Sequence, residues 1–166
     1  MAIIQYAGEY LIEECKLCTV GGFELDLSDL IASVNIYEDI FQNAISGDIS
    51  FADTNNILGN ARVVGQEKLK LKLSTPQEGD PDSRNLTINF TESPLQIYKI
   101  NSKVNVNDRT VAFNLSFTTP ELLRNNTVRV QKAYEGEPAD KMVKEVFRDE
   151  ELISSKKELY YEETSN

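Results

Sequence analysis

"RTVAFNLSFTTPELLRNNTVRVQKAYEGEPADKMVKEVF", residues 109 to 147, joins two different periodicities. Its first part alternates, with Val111, Phe113, Leu115 and Phe117 set against Ala112, Asn114 and Ser116. Successive side chains of a strand point to opposite faces, so this part predicts a strand with one buried face. The other face meets water or a partner. The alternation stops at Thr119, Pro120 and Glu121, which together read as a helix start: a capping hydroxyl, a proline at the first helical position and an acid in the first turn. Asn125-Asn126 ends that helix. After a polar stretch, a second helix is expected near Pro138. There Ala139, Met142, Val143, Val146 and Phe147 fall on one stripe, as in a helix that covers a sheet face.

Upstream, period two dominates. Residues 9 to 20 read as a first strand closed by Gly21-Gly22, and Phe23, Leu25 and Leu27 continue the alternation. Residues 31 to 42 are strand-like with a change of phase. Val34 and Ile36 share one face while Tyr37 and Phe41 share the other, as at a bulge or in a strand buried on both faces. Ile45, Ile49 and Phe51 then oppose Ser46, Asp48 and Ser50, with Gly47 in the apolar row, where a missing side chain permits a bend or a close backbone approach. Residues 54 to 66 read as a loop with at most one helical turn. In residues 68 to 73 Leu69, Leu71 and Leu73 alternate with Lys68, Lys70 and Lys72. Residues 74 to 85 hold two prolines, a glycine and several charges, and are expected to form an exposed loop. Leu86, Ile88 and Phe90 restart the alternation. Ile97, Tyr98 and Ile100 follow Pro94, then Val104 and Val106 lead to a hairpin turn at Asn107-Asp108, two residues that tolerate positive φ. After residue 150 the chain is polar, which reads as a chain cut inside a larger protein or ordered only in part.

The length of 166 residues suits one domain with an appendage, and 40% hydrophobic residues suffice for a core. A net charge of -10 argues against a nucleic-acid-binding surface. No apolar stretch approaches the roughly 20 residues that span a bilayer, and the first residues lack the basic start of a secretory signal. A soluble protein made in a cytoplasm is expected.

Cys15 and Cys18 are the two cysteines. Three residues apart on a strand, they point to opposite faces. Zinc needs further ligands that a chain without histidine and without other cysteines does not offer. A redox pair needs a lowered thiol pKa, whereas Glu13 and Glu14 raise it. Two inert reduced thiols are expected. The acidic residues lie scattered or in runs such as Asp149-Glu150-Glu151, without a glycosidase-like pair or a calcium loop. Gly21-Gly22-Phe23 and Gly59-Asn60-Ala61 fit no phosphate cradle. No enzyme, metal or cofactor is expected.

Residues 98 to 147 resemble the baseplate central hub subunit of contractile-tailed phages of the T-even type. The likeness lies in a tyrosine-containing strand, the Asn107-Asp108 hairpin, an alternating strand ending in an aromatic, then P-E-L-L-R-N, and K-A-Y-E-G-E-P before a helix. Residues 34 to 58, "VNIYEDIFQNAISGDISFADTNNIL", resemble the first hairpin of that family. The resemblance implies a mainly β chain with short helices. Residues 1–118 would form an antiparallel, tube-like β-barrel or sandwich domain, and 119–166 a helical extension that begins an insertion domain. It implies a structural virion protein of the tail baseplate, assembled in the host cytoplasm. Trimers would form a ring between the tail tube and the cell-puncturing spike and contact other baseplate proteins. DNA would pass without specific binding or membrane insertion. Such hub subunits are longer than this chain and carry a second tube domain. The polar faces of the alternating strands then nominate Ser46, Asp48, Ser50, Lys68, Lys70, Lys72, Asn114 and Ser116 as lumen or subunit-interface positions. The alternatives are a soluble β-sandwich adaptor that binds a peptide or glycan through its loops, and a carboxylate-based hydrolase.

Overall fold

The structure, a computed structural model, describes residues 10–61, 63–75 and 86–164. The chain divides into two compact units. One takes the residues up to Tyr37 and Ser46–Thr118, the other Glu38–Ile45 and the residues from Thr119 onward.

Antiparallel β structure makes up the first unit. Its strands are β1 (Leu11–Cys18), β2 (Glu24–Asp26), β3 (Ile31–Tyr37), β4 (Ser46–Asp53), β5 (Lys68–Ser74), β6 (Thr87–Asn89), β7 (Leu95–Asn107) and β8 (Thr110–Thr118). They form one sheet in the order β2-β1-β5-β7-β8-β4-β3, with β6 also beside β5. The two ends of this order, β2 and β3, are consecutive in the chain. Only Leu27 and a 3-10 turn, Ser28–Leu30, separate them. The steps from Asp26 to Ile31 reach at most about 18 Å, so the sheet must roll until its end strands approach each other. The link is stitched to β1. The Leu27 N–H donates to the Cys15 carbonyl at 2.8 Å, and the Cys15 N–H donates to Ser28 Oγ at 3.1 Å.

The apolar rows fill the inside of the roll. Leu17, Leu27, Ile49, Phe51, Leu69, Leu71, Leu95, Ile97, Leu115 and Phe117 are all fully buried. Each such side chain contributes roughly 1.5–3 kcal/mol of burial free energy. β3 carries a register shift between Ile31 and Ser33, which sets Ile31, Val34 and Ile36 against this core. The strand expected to run to residue 42 stops at Tyr37. Residues 38–45 form a loop in which the Asp39 carboxylate accepts the Phe41 N–H at 2.9 Å. Phe41 is 92% exposed and shares no strand face with Tyr37. A competing local hydrogen bond from aspartate ended the strand that the apolar pattern would have continued. The single helical turn expected in 54–66 is α1 (Ile57–Asn60). The loop expected at 74–85 lies mostly outside the described residues.

At the hairpin, Asn107 pairs with Thr110, so the central turn residues are Asp108 and Arg109. Neither Asn107 nor Asp108 has positive φ. The turn is held instead by the Asn107 side chain, which accepts the Arg109 N–H at 2.9 Å. Beyond the turn, the outer face of β8 is less wet than its alternation suggests, since Ser116 and Thr118 are buried.

In the second unit, α2 spans Pro120–Thr127 and α3 spans Ala139–Arg148. Thr119 occupies the position before α2, but its side chain does not cap the helix. Its hydroxyl accepts the Ile45 N–H at 3.3 Å, while its own N–H donates to the Ile45 carbonyl at 2.9 Å. The polar stretch after residue 150 is partly built in: Ile153 and Ser155 are buried. The Ser155 hydroxyl donates to Glu121 at 2.7 Å, Lys157 lies 3.5 Å from the same carboxylate, and Arg148 donates to the Ser155 carbonyl at 2.7 Å. Burial acts to raise the Glu121 carboxyl. The hydroxyls of Ser155 and Thr119, backbone N–H and the Lys157 charge outweigh it, and the group sits below its usual range. The α3 stripe is half-buried at Met142, Val146 and Phe147. With Asn43, Asn125 and Ile153 it lines a cavity of about 300 Å³.

Gly47 in β4 lies between Ile36 of β3 and Phe117 of β8. A Cβ at this position would stand 2.2 Å from the Asn35 carbonyl oxygen and 2.5 Å from the Phe117 ring. Backbone on one side and a packed aromatic on the other cannot both yield. Gly47→Ala is therefore expected to destabilise the chain by about 3 kcal/mol or more, measured as the shift in urea unfolding; a change below about 1 kcal/mol would contradict this packing.

Candidate functional site

The face of the sheet turned away from the core carries every residue nominated from the sequence. Ser46, Asp48 and Ser50 alternate with buried Gly47, Ile49 and Phe51 on β4. Asn114 and Ser116 alternate with Phe113, Leu115 and Phe117 on β8. Register brings Asp48 opposite Ser116, Ser50 opposite Asn114 and Ser46 opposite Thr118. Lys68, Lys70 and Lys72 alternate with buried leucines on β5, which β7 separates from β8. The eight positions thus form two groups rather than one.

The β4–β8 group is a hydrogen-bonded ladder. Asp48 accepts the Asn35 amide at 2.9 Å and the Tyr37 hydroxyl at 2.9 Å. Asn114 donates to Ser50 Oγ at 2.8 Å, and Asn101 donates to Asn114 Oδ1 at 2.6 Å and to Ser116 Oγ at 2.7 Å. The Asn35 amide, then the Tyr37 hydroxyl, hold the Asp48 carboxyl below the usual aspartate value, and the same contact raises the Tyr37 phenol. Asn35, Tyr37 and Asn101 escaped the sequence reading. They lie on strands whose neighbours are fixed only by the long-range register.

Two lysines of this group, Lys70 and Lys72, are paired with carboxylates on β2 and β1. Lys70 reaches Glu24 at 2.6 Å, Lys72 reaches Glu13 at 2.5 Å, and Lys16 of β1 reaches Glu14 at 3.2 Å. Lys70 holds the Glu24 carboxyl below its usual range, as Lys72 does for Glu13. These pairs are partly exposed, so each stabilises the fold only slightly. Their larger effect is to neutralise much of the charge on this part of the surface.

The cysteines occupy opposite faces. Cys15 is buried in the core, where loss of solvation pushes its thiol up to about 12, with Asp26 and Glu14 adding to the shift. Cys18 lies outside, donates to Glu24 at 3.7 Å and is also raised, first by burial. Neither has the lowered pKa of a reactive thiol. Two buried carboxylates hold turns. Asp53 accepts the N–H groups of Asn55 at 3.0 Å and Leu58 at 2.8 Å, and Glu67 accepts those of Val64, Gly65 and Gln66 at 2.7–3.0 Å. Among the described residues, no three His, Cys, Asp or Glu side chains cluster to hold a metal ion, and no helix is long and apolar enough to cross a membrane.

The remaining feature is an open edge. β5 meets β7 only at Leu95 and Gln96. From residue 98 to residue 107, β7 pairs with β8 alone, and no described strand covers its other edge. Tyr98, Ile100, Val104 and Val106 are exposed there. Three register shifts against β8 interrupt this stretch. Such an edge offers rows of N–H and C=O groups to another strand. A search of protein-family models, curated proteins and solved structures finds no match to the chain.

The ladder has a pH signature. A carboxyl with a lowered folded-state pKa stabilises the fold above its unfolded value, and that stability is lost as pH falls through the lowered value. Asp48→Asn should destabilise the chain at neutral pH, and the difference from the unaltered chain should shrink as pH falls below about 5 and on through the lowered carboxyl value, read from urea midpoints. A gap that stays constant over that range would show that an ionised Asp48 does not anchor the ladder.

Proposed function

We propose that the chain is a structural, non-enzymatic subunit of a phage-type contractile tail baseplate, forming a ring between the tail tube and the spike. The observation that carries this reading is the open edge of β7. A strand of 13 residues that its sheet covers on one side for only its first two pairs is a ready site for the next subunit. Pairing it between copies removes an aggregation hazard that the monomer retains. The outer face fits the same role, because Asp48, Ser50, Asn114 and Ser116 are bonded within a ladder and Lys70 and Lys72 are paired with carboxylates. Such a face can border an aqueous channel without gripping what passes. The net charge of -10 disfavours adhesion of DNA.

A cleft of about 660 Å³ in the first unit favours a second reading, a ligand-binding module. Its lining includes Val20, Phe23, Leu25, Ile57 and Val64. That volume is typical of small-molecule sites. Under this reading an isolated monomer binds a small apolar ligand saturably.

Imaging of purified contractile-tailed particles that contain this chain separates the two. The expected result is density for the tube-like unit in a ring between tube and spike, with copies in a multiple of three. A chain that purifies as a free monomer and is missing from every particle would sink the assembly reading.

A further inference from the structure

We propose that residues 158–163 of one copy add as a strand to the open edge of β7 in a second copy. Among the described residues, the segment has no main-chain partner of its own, and β7 has none along its open edge. Residues 158–163, Glu-Leu-Tyr-Tyr-Glu-Glu, run without helix, turn or bend. No backbone hydrogen bond is made by any of them among the described residues. They are nonetheless held at both ends. Lys157 donates to the Asn43 carbonyl at 3.3 Å, and the Thr164 N–H and hydroxyl donate to Asp140 at 3.3 and 2.8 Å. A segment fixed at its ends loses less conformational freedom on pairing than a free tail does. Its length matches that of an ordinary strand, about 5–6 residues.

Charge selects this partner over others. Residues 98–107 carry Lys99 and Lys103 and no carboxylate, in a chain that is strongly acidic. Lys99 lies opposite Ser116, whose side chain is on the outer face, and Lys103 stacks over the Phe113 ring on the other. The edge is therefore basic on both faces. Residues 158–163 carry Glu158, Glu162 and Glu163 and no basic residue. Adjacent Glu162 and Glu163 present a carboxylate to each face of a strand. Pairing of β7 with its own counterpart would oppose lysine to lysine, which the same charges discourage. Exposed apolar side chains complete the match: Tyr160 and Tyr161 on the segment, Ile100 and Val104 on the edge.

The inference deepens the ring reading by naming the contact between copies, yet the two fail separately. The test is sedimentation of the full chain with charge-reversed variants, their folding checked by circular dichroism. The unaltered chain should self-associate, less so as salt rises. Lys99→Glu with Lys103→Glu, and separately Glu162→Lys with Glu163→Lys, should each weaken association by about tenfold or more. Mixing the two variants should restore it as a one-to-one complex, because each edge then meets a segment of opposite charge. A synthetic peptide of residues 157–164 should compete with self-association of the unaltered chain, and the same peptide with methylated backbone nitrogens should not. A chain that stays monomeric, reversals without effect, or a mixture that does not associate would overturn the proposal. So would association that survives both reversals but is abolished by Phe41→Asp, which would move the contact to the 38–45 loop. A ring seen in particles together with any of these results would leave the ring reading standing and remove only this contact.

Discussion

The short link between β2 and β3 constrains the whole first unit. These two strands stand at opposite ends of the sheet order, yet only Leu27 and the Ser28–Leu30 turn separate them in the chain. A flat sheet of this many strands would hold its ends far apart, at about 4.8 Å per strand. The link forbids that, so each strand between them must curl. Curling makes one face concave and dry and the other convex and wet, and the strict alternation of β4, β5 and β8 follows as a requirement. Gly47 sits between β3 and β8, where the Asn35 carbonyl and the Phe117 ring leave no room for even a methyl group.

The same geometry explains where the sheet is incomplete. β5 has β1 along one side and must share the other between β6 and the start of β7. β7 continues far beyond that shared edge, supported by β8 alone. Its three register shifts and its lysines are the devices by which exposed strand edges avoid indiscriminate pairing. They narrow the set of partners without closing the edge. An edge guarded by positive charge remains open to a negative strand.

Much of the first unit was legible because period two is local. Leu69, Leu71 and Leu73 reveal a buried face without any knowledge of neighbours, and Gly47 in an apolar row points to a close approach. The register shift between Ile31 and Ser33 was not legible, because the change of phase seen in the sequence rested on Tyr37 and Phe41, and Phe41 lies beyond the end of β3. What the sequence withheld depends on distant partners. Strand order, the Asp48–Asn35–Tyr37 ladder and the split of the nominated residues into two groups all require the register between strands far apart in sequence. Local polar competition also misled the reading. Asp39 ended β3 early, and Asn107 held a turn without positive φ. The Thr119 hydroxyl bonded to Ile45 rather than to its own helix, and the tail after residue 150 looked structureless because Ser155 and Ile153 pack against residues more than twenty positions earlier or in α3.

Where the carboxylates are placed bears on what the chain can do. A group that performs proton transfer must have an unsatisfied valence aimed at open space. Asp53 and Glu67 are buried with their oxygens committed to backbone N–H groups, and Glu121 is committed to Ser155 and Lys157. Asp48 is shared between an amide and a phenol, and Glu13 and Glu24 are each held by a lysine. Glu121, Asp48, Glu13 and Glu24 are all held below their usual range, the opposite of a base poised near neutrality. The commitments also cross strands, so that removing one loosens two or three elements at once. Among the described residues, main-chain hydrogen-bonding groups stand open along one edge of β7 and along residues 158–163. That distribution supports a protein whose work is done by association, with side chains choosing the partner and backbone supplying the bond.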